Sequence, residues 1–192
     1  MKTRYPAVEG SFYPSDPVEL SIMLDDFDKQ AEIEIKDSVR AMIVPHAGLF
    51  FSGLTAAHAY KCASGGSYRS AVIFAPSHRV AFYGISGGDY DEYRFSGYSL
   101  KVNRELQEKL TKNNGLLSIE QAHLYEHSAE VQLPFVKKYL NVESIVVFVY
   151  GETDHQKLSY VMNEVLEEGK DIVIVSSDLS HYHPYEKCRE TD

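Results

Sequence analysis

A chain of 192 residues corresponds to one domain at about 150 residues each, and it can bury roughly 70% of its unfolded surface without disulfides. Its 44% hydrophobic and 24% charged residues exclude a disordered or collagen-like chain, and two cysteines exclude a disulfide scaffold. The formal net charge of −9 comes without a basic stripe, which argues against a nucleic-acid surface. Residues 19–37 hold seven acids and two lysines, the composition of a solvated helix face and loop. Cys62 and Cys188 show no Cys-x-x-Cys spacing and suit free thiols in a reducing cytoplasm. No apolar run reaches about 18 residues. The N-terminus carries Pro6, Glu9 and Pro14 rather than a signal peptide. The sequence therefore predicts a cytoplasmic protein without membrane contact.

In chain order, Asp16-Pro17-Val18-Glu19 reads as a helix start: Asp caps, Pro takes the first helical position and Glu closes a capping box. Leu20, Met23, Leu24 and Phe27 follow at helical spacing. Residues 41–44 form a short apolar run, expected to be a buried strand. Residues 53–62 look like a small-residue helix ended by Gly65-Gly66, and 71–75 like a second buried strand. Alternation at Tyr98, Leu100 and Val102 suggests a half-exposed strand, after which Asn103 can cap a helix carrying Leu106 and Leu110. Residues 129–140 are helical in character, but Pro134 predicts either a kink or two short helices. Residues 145–149 make a third buried strand. Thr153 with Gln156 predicts a capping box for a helix bearing Leu158, Val161, Met162, Val165 and Leu166, and 172–175 make a fourth strand. Short continuous apolar strands alternating with helices imply an α/β domain with a mostly parallel central sheet, covered by helices on both faces.

Three of the four strands run into similar polar sequences: Pro45-His46-Ala47-Gly48, Pro76-Ser77-His78, and Ser176-Ser177-Asp178-Leu179-Ser180-His181. In a parallel sheet the strand C-termini share one rim, where open α/β sheets bind ligands. His46, His78, Asp178 and His181 are therefore expected to converge despite their separation in sequence. One histidine after a strand is usually a loop residue bonded to backbone. Three strand ends of this kind argue for a shared pocket. Two imidazoles and a carboxylate are donors used by non-haem iron(II), and a neutral histidine can alternatively serve as a base.

Glu126-His127-Ser128-Ala129-Glu130 has a plainer reading, a helix N-terminus with acids near the positive dipole end. Its sharper reading puts His127 at the pocket edge as a general base or as a residue supporting a ligand. His58 reads as a structural or surface residue, Cys62 as a buried small hydrophobe, His155 as a first-turn helix residue, His183 as a turn residue, and His123 as a loop residue without an evident partner. Gly84-Ile85-Ser86-Gly87-Gly88 matches G-x-S-x-G, and Ser86, Asp178 and His181 follow a hydrolase order. The segment after it is a poor helix start, so a serine hydrolase is a weak alternative.

These motifs together resemble the Memo family. The matching stretches are Gly10-Ser11-Phe12-Tyr13, Pro45-His46-Ala47-Gly48, Ala57-His58-Ala59-Tyr60, Pro76-Ser77-His78, Glu126-His127-Ser128-Ala129-Glu130 with Leu133-Pro134, and Ser176-Ser177-Asp178 with His181. They occur in the family's order and span nearly the whole chain. The resemblance implies a single Memo-like domain over residues 1–192, with the fold of class III extradiol ring-cleaving dioxygenases. It implies that His46 and His78 are metal ligands, and that Asp178 and His181 line the same pocket, His181 with a catalytic or near-ligand role. It also implies a divalent transition metal, iron first, with copper or zinc as alternatives. Members continue past the His181 motif to a third ligand, a cysteine in Cys-Gly-Arg. Cys188 precedes Arg189 but does not match that motif. Either the chain is a C-terminally short form, or its third ligand comes from elsewhere. The short form is expected to hold metal weakly and to expose apolar surface, favouring association with a second copy or low stability.

Two functions follow as expectations. One is a metal-dependent redox or dioxygenase-like enzyme, with catalytic residues His181, Asp178 and His127. The other is a binding module that recognises a peptide or small acidic ligand in the same pocket without turnover.

Overall fold

The structure, a computed structural model, describes residues 1–192. In chain order the elements are β1 (Thr3–Arg4), α1 (Pro17–Gln30), β2 (Ala41–Val44), α2 (Leu49–Ala63), β3 (Ser67–Pro76), β4 (Ile85–Gly87), β5 (Glu92–Phe95), β6 (Tyr98–Lys101), α3 (Arg104–Asn114), α4 (Glu120–Leu124), a 3-10 turn at Glu130–Gln132, α5 (Leu133–Tyr139), β7 (Asn141–Tyr150), α6 (His155–Glu167), β8 (Ile172–Ser176) and α7 (Tyr185–Thr191).

The helix starts follow their caps. Asp16 accepts hydrogen bonds from the amides of Val18 and Glu19 at the head of α1. Asn103 accepts from Leu106 at the head of α3, which ends on left-handed Gly115. The α6 expectation is shifted by one residue. Asp154, not Thr153, is the cap and accepts from Gln156, while the Thr153 hydroxyl is buried without a partner. Pro134 resolves into two pieces rather than a kink: the 3-10 turn, then α5 with the proline in its first turn, where no amide is needed.

The central sheet has the order β2-β8-β3-β7-β4. Its first four strands are parallel, and β4 closes the far edge antiparallel to β7, so the sheet is mixed. Residues of β3 and β7 alternate between two cores. Ala71, Ile73, Ala75, Ile145, Val147 and Val149 join the larger core beneath α1, α2 and α5. Val72, Phe74, Val146 and Phe148 join a smaller one beneath α3 and α6. Burial on both faces is why these strands read as unbroken apolar runs.

The edge strand β2 departs from that expectation. Met42 and Val44 are buried, but Ala41 and Ile43 face outward, Ile43 being 65% exposed. A second small sheet, β1-β5-β6, holds the N-terminus. No helix is long and apolar enough to cross a membrane.

Candidate metal centre

The strand order explains the convergence. β2, β8 and β3 are consecutive neighbours with parallel register, Val44 opposite Ser176 and Phe74 opposite Val175. Their C-terminal exits therefore lie side by side. His46, Asp178 and His78 are each the second residue beyond one of these strands.

The fourth contributor comes from the loop after α4. Ser128 is clamped between two strand ends: its hydroxyl donates to the Pro76 carbonyl (2.7 Å), and its carbonyl accepts from the Ser176 hydroxyl (2.7 Å). That clamp carries His127 onto the rim, with Phe12 packed on its ring at 4.9 Å. Ring centroids are 5.2 Å apart for His46 and His78, 5.6 Å for His46 and His127, and 4.7 Å for His78 and His127. One donor nitrogen from each of the three lies within 4.8 Å of the other two. Two imidazoles on one ion, each at about 2.1 Å, span up to about 4.2 Å, so a small shift of the rings brings all three into range.

Hydrogen bonds fix which nitrogen is available. The Ser176 hydroxyl has one proton, given to the Ser128 carbonyl, and it accepts from the Gln132 amide at 2.8 Å. His46 Nδ1, 2.9 Å from the same oxygen, must therefore be the donor, leaving the Nε2 lone pair open. Gln132 is oriented in turn by donating to the Pro45 carbonyl and accepting from Tyr60. His78 Nδ1 lies 2.9 Å from Glu126 Oε1, an acceptor when ionised, so its Nε2 is likewise free.

Burial alone pushes the Glu126 carboxyl upward. The nearby His127 ring, together with hydrogen bonds from the His127 amide, the backbone and side chain of His78, and the Ser128 amide, outweighs it and holds the group ionised, well below the usual carboxylate range. Burial pushes the His46 imidazole down to about 4, with Asp178 opposing. A neutral imidazole is the form that ligates metal. His127 Nδ1 is buried and lies 3.2 Å from Glu126 Oε1 without a hydrogen bond to it, an orphaned polar atom of the kind a ligand satisfies.

Asp178 and His181 stand on the outer side. Asp178 Oδ1 accepts from the amides of His46 and Ala47 (3.0 Å for Ala47). Its Oδ2 lies 3.9 Å from His46 Nε2 and 3.5 Å from His181 Nε2. The His181 side chain is 54% exposed and is not among the three histidines whose donor atoms meet; it reaches the site through Asp178.

All the rim residues expected from the sequence are thus on one rim. What the sequence reading missed is that His127 stands level with His46 and His78 as a third donor, and that its neighbours are not dipole-facing acids. Glu126 holds His78. Glu130 accepts from Ala7, Val8 and Tyr13 and forms a fully buried ion pair with Arg4, anchoring the N-terminal segment. The signal was the Glu-His-Ser-Ala-Glu cluster itself, too densely polar for a plain helix start.

His123, expected in a loop, lies buried in α4. Its Nε2 lies 3.1 Å from the Ser86 carbonyl, which only accepts, so Nε2–H donates there. The hydrolase alternative fails on geometry: Ser86 is in an edge strand, completely buried, with its hydroxyl accepting from the Ile119 amide.

These features define an α/β protein with a three-histidine candidate metal centre at the C-terminal rim of its sheet. A family model for Memo-like proteins matches residues 4–192. A MEMO1 family protein of Aquifex aeolicus is 36% identical over 200 residues, covering 100% of this chain and 72% of the relative. One from Saccharolobus solfataricus is 33% identical, covering 98% of this chain and 73% of the relative. One from Saccharolobus islandicus is 32% identical over 95% and 71%. The chain belongs to the Memo family.

Proposed function

We propose that this chain binds a divalent transition metal, iron before copper or zinc, through His46, His78 and His127, and uses it in redox or dioxygenase-like chemistry on a small molecule or peptide. The observation that carries the reading is the meeting of three imidazoles from three chain segments, with one donor atom of each within 4.8 Å of the others. Imidazole donors suit iron, copper and zinc over magnesium. A bound ion of this kind would supply Lewis acidity and, for iron or copper, electron transfer.

The chain's own residues supply the rest. Ser176 and Gln132 orient His46, and Glu126 orients His78. Asp178, anchored by two backbone amides, presents its free oxygen between His46 and His181. His181, half in solvent, can take a proton from an incoming acid or return one, with Asp178 stabilising the imidazolium. The open side beside His181 is the route for a ligand. A cytoplasmic location fits the unpaired Cys62 and Cys188.

The test is elemental analysis and anaerobic iron(II) titration of protein purified without chelators. Wild type should hold about one ion per chain, and His46→Ala/His78→Ala none. Full metal content in the folded double variant would place the site elsewhere.

A further inference from the structure

We propose that Glu126 is the positioning residue of the metal centre: one buried carboxylate takes the Nδ1 proton of His78 and ties the His127 turn to the end of β3, so that Nε2 of His78 faces the other two rings. This rests on the reading of the histidines as ligands. The Glu126 side chain is 1% exposed. Its Oε1 accepts from His78 Nδ1 (2.9 Å), the His127 amide (3.0 Å) and the Ser128 amide (3.1 Å). Its Oε2 accepts from the His78 amide at 2.6 Å. Both the backbone and the ring of His78 are therefore held by one group, and that same group closes the turn carrying His127.

Position and tautomer are set together. A ring free to rotate could present either nitrogen. A ring whose Nδ1–H points at an ionised carboxylate presents only Nε2. A carboxylate in this place also makes the imidazole a stronger donor. The His46 ring reaches the same end through neutral partners, Ser176 and Gln132, with a carboxylate, Asp178, hydrogen-bonded only to its amide, so a charged group on the ring Nδ1 belongs to His78. Glu126 is itself braced from behind: its backbone carbonyl accepts from Arg4 Nη2 at 2.6 Å.

The decisive experiment uses the full chain labelled with 15N-histidine, metal-free and above the histidine titration range. Long-range proton–nitrogen correlation spectra report the tautomer of each ring. Wild-type His78 should be the Nδ1–H form. Glu126→Ala should abolish that preference and weaken cobalt(II) binding about 10- to 100-fold. Glu126→Gln, whose amide oxygen can still accept, should keep the Nδ1–H form and lose less affinity than the alanine variant. If Glu126→Ala does not fold, the wild-type tautomer and the glutamine variant decide the matter. His78 in the Nε2–H form in wild type, or an unchanged Nδ1–H tautomer in folded Glu126→Ala, overturns the proposal. Wild type that binds no cobalt(II) would defeat the metal reading instead, while the tautomer spectra would still judge the role of Glu126.

Discussion

The three histidines and the stretch beyond Asp178 occupy one rim, yet they are held in opposite ways. His46 is 3% exposed and sits at the end of a hydrogen-bonded chain running through Ser176, Gln132 and Tyr60. His78 and the His127 turn share the Glu126 carboxylate. On the other side, α7 buries no residue. Leu179 and Tyr182 adopt left-handed backbone (φ 60° for both), and the Ser180 amide and hydroxyl are tied to Asp192. Side-chain hydrogen-bond networks rooted in the interior rigidify what they connect, whereas exposed segments with few buried contacts open at little cost. The contrast implies a candidate metal-holding half set by the fold and an exposed half that adapts.

The largest effect expected from breaking this contrast lies behind the rigid half. Arg4 and Glu130 are completely buried, and Arg4 also donates to the carbonyls of Tyr5, His123 and Glu126. Removing one partner of a buried, hydrogen-bonded ion pair leaves the other charge uncompensated, at a cost of about 3–5 kcal/mol. Arg4→Met should lower unfolding free energy in urea by that amount. A loss under about 1 kcal/mol would mean that the N-terminal segment does not brace the rim.

A middle-sized effect concerns pH. Burial pushes His123 down to about 4, with its hydrogen bond to the Ser86 backbone carbonyl opposing. The unfolded chain titrates near the ordinary value of about 6.5 and so binds the proton first. Stability linked to His123 is thus complete above about 6.5 and is lost as pH falls from there towards 4. Melting temperatures in chelator should fall across that window in wild type. In His123→Gln the whole curve should lie lower and fall less steeply. Parallel curves for the two proteins would show that His123 does not titrate this way.

The smallest structural effect should come from the adaptable half. His181→Ala removes a half-exposed ring, so unfolding free energy should stay within about 0.5 kcal/mol of wild type and metal content should be unchanged. Any substrate turnover that depends on proton transfer should still drop by about 10²–10⁴-fold. Loss of metal in this variant would move His181 into the ligand set and erase the contrast.

How much of this was legible in sequence follows the same division. The buried strands and capped helices are local patterns, and β3, β7 and β8 appear where their apolar runs stand. The rim residues were legible because a parallel sheet turns an equal offset from each strand into a common position in space. The outward face of β2 was not, since a four-residue apolar run looks the same at an edge as at the centre. The role of His127 was hidden because its placement depends on Ser128 bridging two strands distant in sequence. Glu126 and Glu130 read as helix-start acids because their partners, His78 and Arg4, lie far along the chain.

The central claim is that three imidazoles, not two, form the site. Cobalt(II), whose visible bands report coordination, tests it directly by titration of wild type and of His127→Ala. The account predicts that His127→Ala remains folded, changes the bands and weakens binding by at least about tenfold, the scale on which even supporting residues act. Wild-type affinity and an unchanged spectrum in His127→Ala, alongside loss of binding in His46→Ala, would contradict it.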